Sequence, residues 1–222
     1  MPDSLAHLIA ATEYSLREVG FLQSDLTSLA KKLQDALDVA RGEFPWDRDI
    51  SPFLATNDDC PGLLKTGWWQ RSLDQIETVC FHHTNGWTSP EVFARWYVTK
   101  DGGRPSTCYS VWITDTGEVL LCNQLEVGCW HNHNGHKNVD LSVVLAGKRH
   151  IHPPSPAQEA AAARVAAWAI RSPILPLIND ISYIKGHMDY KRPGFTECPG
   201  WSGDAGAGLW KPSLYGRIAA LC

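Results

Sequence analysis

"VCFHHTNGW", Val79 to Trp87, sets two adjacent histidines at the end of an apolar run. The residues from Ile76 to Phe81 are β-branched and apolar, which predicts a buried strand. Successive side chains on a strand point to opposite faces, so His82 and His83 are expected to diverge. Only one of them should then serve a given small site. Downstream, "TSPEVFARWYV" predicts a helix with Ser89 as its cap and Pro90 in its first turn. Residues 109–114 and 118–122 read as strands joined around "TDTG", a hairpin signal. Residues 141–146 form a further buried strand, "SPAQEAAAARVAAWAI" a second Ser-Pro helix, and 183–186 a short strand running into "HMDY". Strands alternating with helices predict an α/β domain over residues 76–222, a mixed central β-sheet flanked by helices.

Upstream the texture is different. Ser4 can cap a helix whose stripe is Leu5, Leu8, Ile9, Leu16 and Val19, and Gly20 breaks it. Leu26, Leu29, Leu33, Leu37 and Ala40 continue at three- and four-residue steps in a second helix. Residues 1–45 are thus expected to form a helical hairpin appendage, which packs on the main domain or docks a protein partner. "FPWDRDISPFLATNDDCPG" is rich in Pro and Asp, and residues 46–75 read as an irregular connection.

Composition narrows the functional classes. The chain has 222 residues, 44% of them hydrophobic and 20% charged, an ordinary globular balance. Such a length buries roughly 70% of the unfolded surface, so the core needs no staples. The formal net charge is −4 and no basic block stands out, so a nucleic-acid partner is not expected. Seven cysteines without regular spacing do not suggest a disulfide framework. The longest apolar run, "AAAARVAAWAI", is interrupted by Arg164 and is too short to insert across a membrane. The N-terminus carries Asp3 and Glu13 without a basic n-region, so no signal peptide is read there. Ten tryptophans are many, and Trp87, Trp130 and Trp201 stand beside polar motifs, where an aromatic face could wall a groove.

The candidate chemistry sits at the ends of elements. His82 and His83 close a strand, His187 follows "YIKG", and His131, His133 and His136 share a loop rich in Gly and Asn. Cys198 stands in "GFTECPGW". Two histidines and a cysteine on separate loops can form a three-ligand zinc site with one position left for water. The same residues also suit a cysteine nucleophile with His187 as its base, which gives His82 no role. Cys80, Cys108, Cys122 and Cys129 read as small buried hydrophobes, and Asp189 as a cap for the turn after His187.

The motifs "VCFHHTNG", "CYSVWITDTGEV", "WHNHNGHKNVDLSVVLAG", "GHMDY" and "TECPG" occur in one order. From about Ile76 to Trp201 the chain resembles the zinc-dependent N-acetylmuramoyl-L-alanine amidases of type 2, a family that includes phage lysozyme-type amidases and peptidoglycan recognition proteins. The resemblance implies Zn2+ held by His82, His187 and Cys198, with His83 at the variable position. It implies catalytic roles for Tyr109 and for Thr196, where phage-type members often carry Lys. Substrate contacts would come from His131, Asn138, Thr84 and Trp87. No motif provides a general base, and the Glu197 side chain is expected to point away from the metal. The implied reaction cleaves the amide between N-acetylmuramic acid and L-alanine in bacterial peptidoglycan, the partner of the site. A module that binds peptidoglycan without cutting it, or a component of a larger assembly, is the alternative. A chain made in the cytoplasm would reach the cell wall by holin-dependent release, as a phage or prophage endolysin does, or by delivery through an apparatus.

Overall fold

A computed structural model of the chain describes residues 44–59, 67–99, 104–132, 138–149, 151–190, 196–200 and 210–222. The helical hairpin expected at the N-terminus lies outside these residues, as do His133, His136 and Trp201.

The central strand is β3 (Thr78–His83), and all but its first residue are buried. It pairs in parallel with β7 (Asp140–Leu145), buried throughout, and with β8 (Ile184–Gly186). Strands buried on both faces read as continuous apolar runs, which is why "TVCF" and "DLSVVL" lack alternation. Beyond β7 lie β4 (Val111–Ile113), parallel to it, and β5 (Val119–Leu121), antiparallel to β4. The sheet ends at β1 (Arg48–Asp49), parallel to β5, giving the order β1-β5-β4-β7-β3-β8. This is the expected mixed sheet. Two strands arise within the stretch read as irregular: β1, and β2 (Trp69–Gln70), which pairs antiparallel with β6 (Val127–Gly128). Gly128 is required there, because the Trp69 indole lies where a Cβ would project.

Helix α1 (Pro90–Thr99) covers one face. Its Phe93 and Ala94 enter a core cluster with Trp112, Leu120 and Val144, residues that face one another across the strands. His82 opposes Val144 in the register and so shares this face. Helix α2 (Pro156–Arg171) starts where Ser155 Oγ accepts from the Gln158 amide, and Gln158 Nε2 donates to the carbonyls of Ile113 and Ala146. Helix α3 (Trp210–Leu221) was not anticipated, because Pro212 and Gly216 interrupt its sequence. Its buried side chains Trp210, Leu214 and Ile218 nevertheless recur every four residues, a helical stripe that could have been read. Tyr215 Oη donates to the Ile184 carbonyl at 2.6 Å, and Arg217 pairs with Glu159 of α2, so α3 braces the edge strand β8.

Candidate active site

Parallel strands end on the same side of a sheet, and the C-terminal ends of β3 and β8 carry the site. His82 is the penultimate residue of β3. His187 follows Gly186 directly and opens the turn His187–Tyr190. Asp189 closes that turn by accepting from the Gly186 amide at 2.8 Å, the capping role expected of it, and Lys211 of α3 pairs with it. The Met188 amide donates to the Cys198 carbonyl at 2.8 Å and ties the two loops together.

The result is a cluster in which the donor atoms of His82, His187 and Cys198 all lie within 4.8 Å of one another. His82 Nδ1 is 3.6 Å from Cys198 Sγ. A thiolate and an imidazole nitrogen on one tetrahedral zinc are about 3.5 Å apart, so the donors are spaced for such an ion. The chemistry of the set fits as well. Burial, with the neighbouring histidines His131, His187 and His83, holds His82 well below its ordinary value and therefore neutral, the ligating form. Burial pushes the Cys198 thiol up to about 12, while the His83 amide, 3.3 Å from Sγ, stabilises the thiolate. A bound divalent cation would oppose the burial effect and favour the thiolate.

On the other side of the His82 ring the spacing is different. Nε2 lies 2.8 Å from His131 Nδ1 and 3.2 Å from Cys80 Sγ. Cys80, His82 and His131 also form a compact, fully buried donor group. However, two imidazole nitrogens on one tetrahedral zinc stand about 3.3 Å apart. A separation of 2.8 Å is that of a hydrogen bond. Cys80 is therefore more than the inert hydrophobe its sequence context suggests. Cys108, Cys122 and Cys129 are buried as expected.

A cavity of about 390 Å³ opens over the cluster. His82, His83, Tyr109, His131, His187, Thr196, Glu197 and Cys198 form most of its wall. One expectation needs correction here. His83 does contribute to the same cavity as His82, because the cavity lies at the end of the strand and not on one of its faces. The turn that follows, with Asn85 (φ 55°) and Gly86 (φ 111°) in the left-handed region, lets the Asn85 amide donate to His83 Nδ1 at 3.0 Å and sets that ring. Glu197 borders the cavity as an exposed residue.

Tyr109 is half-buried, its ring 5.4 Å from that of His82 and packed on Phe93. Burial raises its phenol well above the ordinary value, so it remains a hydrogen-bond donor. Thr196 Oγ1 accepts from the Cys198 amide at 3.2 Å, which shapes the ligand loop.

Three residues expected to contact substrate lie elsewhere. Thr84 is buried, its hydroxyl donating to the Trp87 carbonyl and accepting from the Gly147 amide at 2.8 Å, so it closes the turn. Trp87 packs edge-on against Phe93 and at a tilt against Trp96, at the core. Asn138 lines a separate cavity of about 440 Å³ with Trp69, Arg71 and Leu177, and its carbonyl accepts from Arg71. The remaining tryptophan considered for a groove wall, Trp130, packs edge-on against Trp69 with Arg104 over its ring.

An α/β sheet with two histidines and a cysteine gathered at its strand ends defines the class of the molecule: an α/β protein with a candidate metal centre. The chain belongs to the N-acetylmuramoyl-L-alanine amidase family, whose model matches residues 72–201. Solved structures share the fold. The endolysin amidase LysCS from Clostridium intestinale URNW aligns over 72% of this chain and 96% of its own, at 14% identity and a TM-score of 0.52. Drosophila PGRP-LB aligns over 74% and 96%, at 19% identity and a TM-score of 0.52. Human PGRP-IBETAC, solved in complex with glycosamyl muramyl pentapeptide, aligns over 68% and 96%, at 18% identity and a TM-score of 0.52. No curated protein sequence gives a significant match.

Proposed function

We propose that this chain is a zinc-dependent peptidoglycan hydrolase that cleaves the amide between N-acetylmuramic acid and L-alanine, acting as an endolysin or delivered lytic enzyme. The observation that carries the reading is the spacing of His82 Nδ1, His187 and Cys198, donors within 4.8 Å of one another beneath an open cavity. When bound, zinc supplies a Lewis acid that activates water near neutral pH and polarises a carbonyl. The protein residues do the rest. His82, His187 and Cys198 hold the ion, and the His83 amide steadies the thiolate. Tyr109, kept protonated by its surroundings, donates a hydrogen bond where the amide oxygen gains negative charge. Glu197 borders the cavity, and its carboxylate is the nearest acidic group to take a proton from the attacking water and return it to the leaving amine. Thr196 shapes the loop that presents Glu197 and Cys198.

A binding-only reading draws on the likeness to recognition proteins, one of them solved with a muramyl peptide. The complete donor set beside a protonated tyrosine favours hydrolysis. The deciding experiment incubates the full-length protein with purified peptidoglycan and measures new L-alanine amino termini, with and without a zinc chelator. Release that stops on chelation and returns with zinc supports the amidase reading. Binding to peptidoglycan without release by zinc-loaded protein overturns it in favour of recognition alone.

A further inference from the structure

The residue that the family resemblance assigns to substrate, His131, is buried, with 6% of its surface exposed, and it faces the metal ligand directly. We propose that His131 is the positioning residue of the metal centre: its Nδ1 accepts a hydrogen bond from His82 Nε2–H and so fixes the tautomer that turns His82 Nδ1 toward His187 and Cys198. This inference rests on the zinc reading above.

A neutral imidazole has one nitrogen bearing hydrogen and one free to ligate. If Nδ1 of His82 is the ligand, as its 3.6 Å approach to Cys198 Sγ indicates, Nε2 must carry the hydrogen. That N–H belongs to a ring that is itself buried and needs an acceptor, and a carboxylate or carbonyl is the usual one. Here the neighbours are His131 Nδ1 at 2.8 Å and Cys80 Sγ at 3.2 Å. Sulfur is the weaker acceptor, so the ring nitrogen dominates. Accepting at Nδ1 in turn puts the His131 hydrogen on Nε2, an atom that is buried and has no hydrogen-bond partner among the described residues. The rings meet nearly at right angles, 87° between planes, with centroids 4.9 Å apart.

The geometry is held from below. Asn132, the next residue, donates to Asp140 at 3.4 Å, and Tyr190 Oη from the His187 turn donates to the same carboxylate at 3.1 Å. One buried carboxylate on β7 therefore anchors both the loop that carries His131 and the turn that carries His187. Thr78 on β3 bonds to it as well.

The test separates positioning from substrate contact by measuring zinc affinity in substrate-free, full-length protein, through competition with a chromophoric chelator. His131→Phe fills the space, excludes water and removes the acceptor; the expected loss is about 10–100-fold in zinc affinity. His131→Asn keeps an acceptor near the position of Nδ1 and should recover most of it. Nitrogen-15 NMR of the wild-type imidazoles should show His82 protonated at Nε2, with and without zinc. Unchanged zinc affinity in His131→Phe, with the loss confined to KM for peptidoglycan fragments, overturns the proposal. So does a wild-type His82 protonated at Nδ1, a result that stands even where the Phe variant does not fold. Wild-type protein that binds no zinc yet shows the Nε2–H tautomer would refute the zinc reading while supporting the hydrogen bond.

Discussion

Among the described residues, two cavities of similar size differ in what their walls can do. The one over His82, about 390 Å³, gathers four histidines, a thiol and a phenol from five separated segments. The one beside Trp69, about 440 Å³, is lined by amides, the carboxylates of Asp74 and Glu77, a buried arginine and apolar side chains, with no histidine or cysteine. The first lies at the C-terminal ends of β3 and β8; the second adjoins the N-terminal ends of β3 and β7. Proximity in sequence misleads here. His131 and Asn138 belong to one motif, yet the fold assigns them to opposite ends of the strands. What decides membership of the site is which end of a parallel strand a residue reaches, not its distance along the chain.

Substitutions can test that contrast. The largest effect is expected from Cys198→Ala, which removes a donor from the first cavity: zinc measured after dialysis should fall away and amide cleavage should drop to background. Retained stoichiometric zinc and activity would erase the distinction between the cavities. Tyr109→Phe should keep zinc and the fold but lower kcat by about 10²–10³-fold, the usual cost of one oxyanion donor; single-turnover assays on a muramyl peptide read this directly.

A smaller effect is expected from acid. Burial holds His82 and His131 well below their ordinary value of 6.5, so the folded, metal-free chain keeps both neutral. For groups depressed in this way, the stability is present above the unfolded value and lost as pH falls below it. Denaturant midpoints of the chelated protein should therefore decline below about pH 6.5, and less steeply in His131→Asn. A flat profile from pH 8 to 5 would mean that neither ring is held neutral. Tyr215→Phe removes the bond from α3 to the β8 carbonyl and should cost about 1 kcal/mol in a denaturation experiment. Asn138→Ala, in the second cavity, should change stability by less than about 0.5 kcal/mol and leave cleavage intact. A large loss of activity there would join the cavities functionally and restore the substrate role that its motif suggests.

Much of the fold was legible. The apolar runs ending at His83 and Leu145, and the Ser-Pro starts of α1 and α2, announce themselves because burial on both sheet faces and capping chemistry are local demands. The edge elements were not legible. Strand β1 is two residues long and exists only because Asp47 and Ile50 find partners on β5. In α3, Pro212 and Gly216 weaken the local signal, and the helix is held by packing of Trp210, Leu214 and Ile218.

For the site, the residue types and their order along the chain already pointed to His82, His187 and Cys198, because few side chains can ligate zinc and the motifs that carry them are short and ordered. Which nitrogen of His82 faces Cys198, that His83 shares the cavity, that Thr84 and Trp87 serve the turn and core, and that His131 lies against the His82 ring were decided by tertiary structure alone. The reason is physical. Ligation depends on element type and exposure, which a sequence encodes locally, whereas the direction of a ring and the partner of its second nitrogen depend on separations of a few tenths of an ångström, set by segments far apart in the chain.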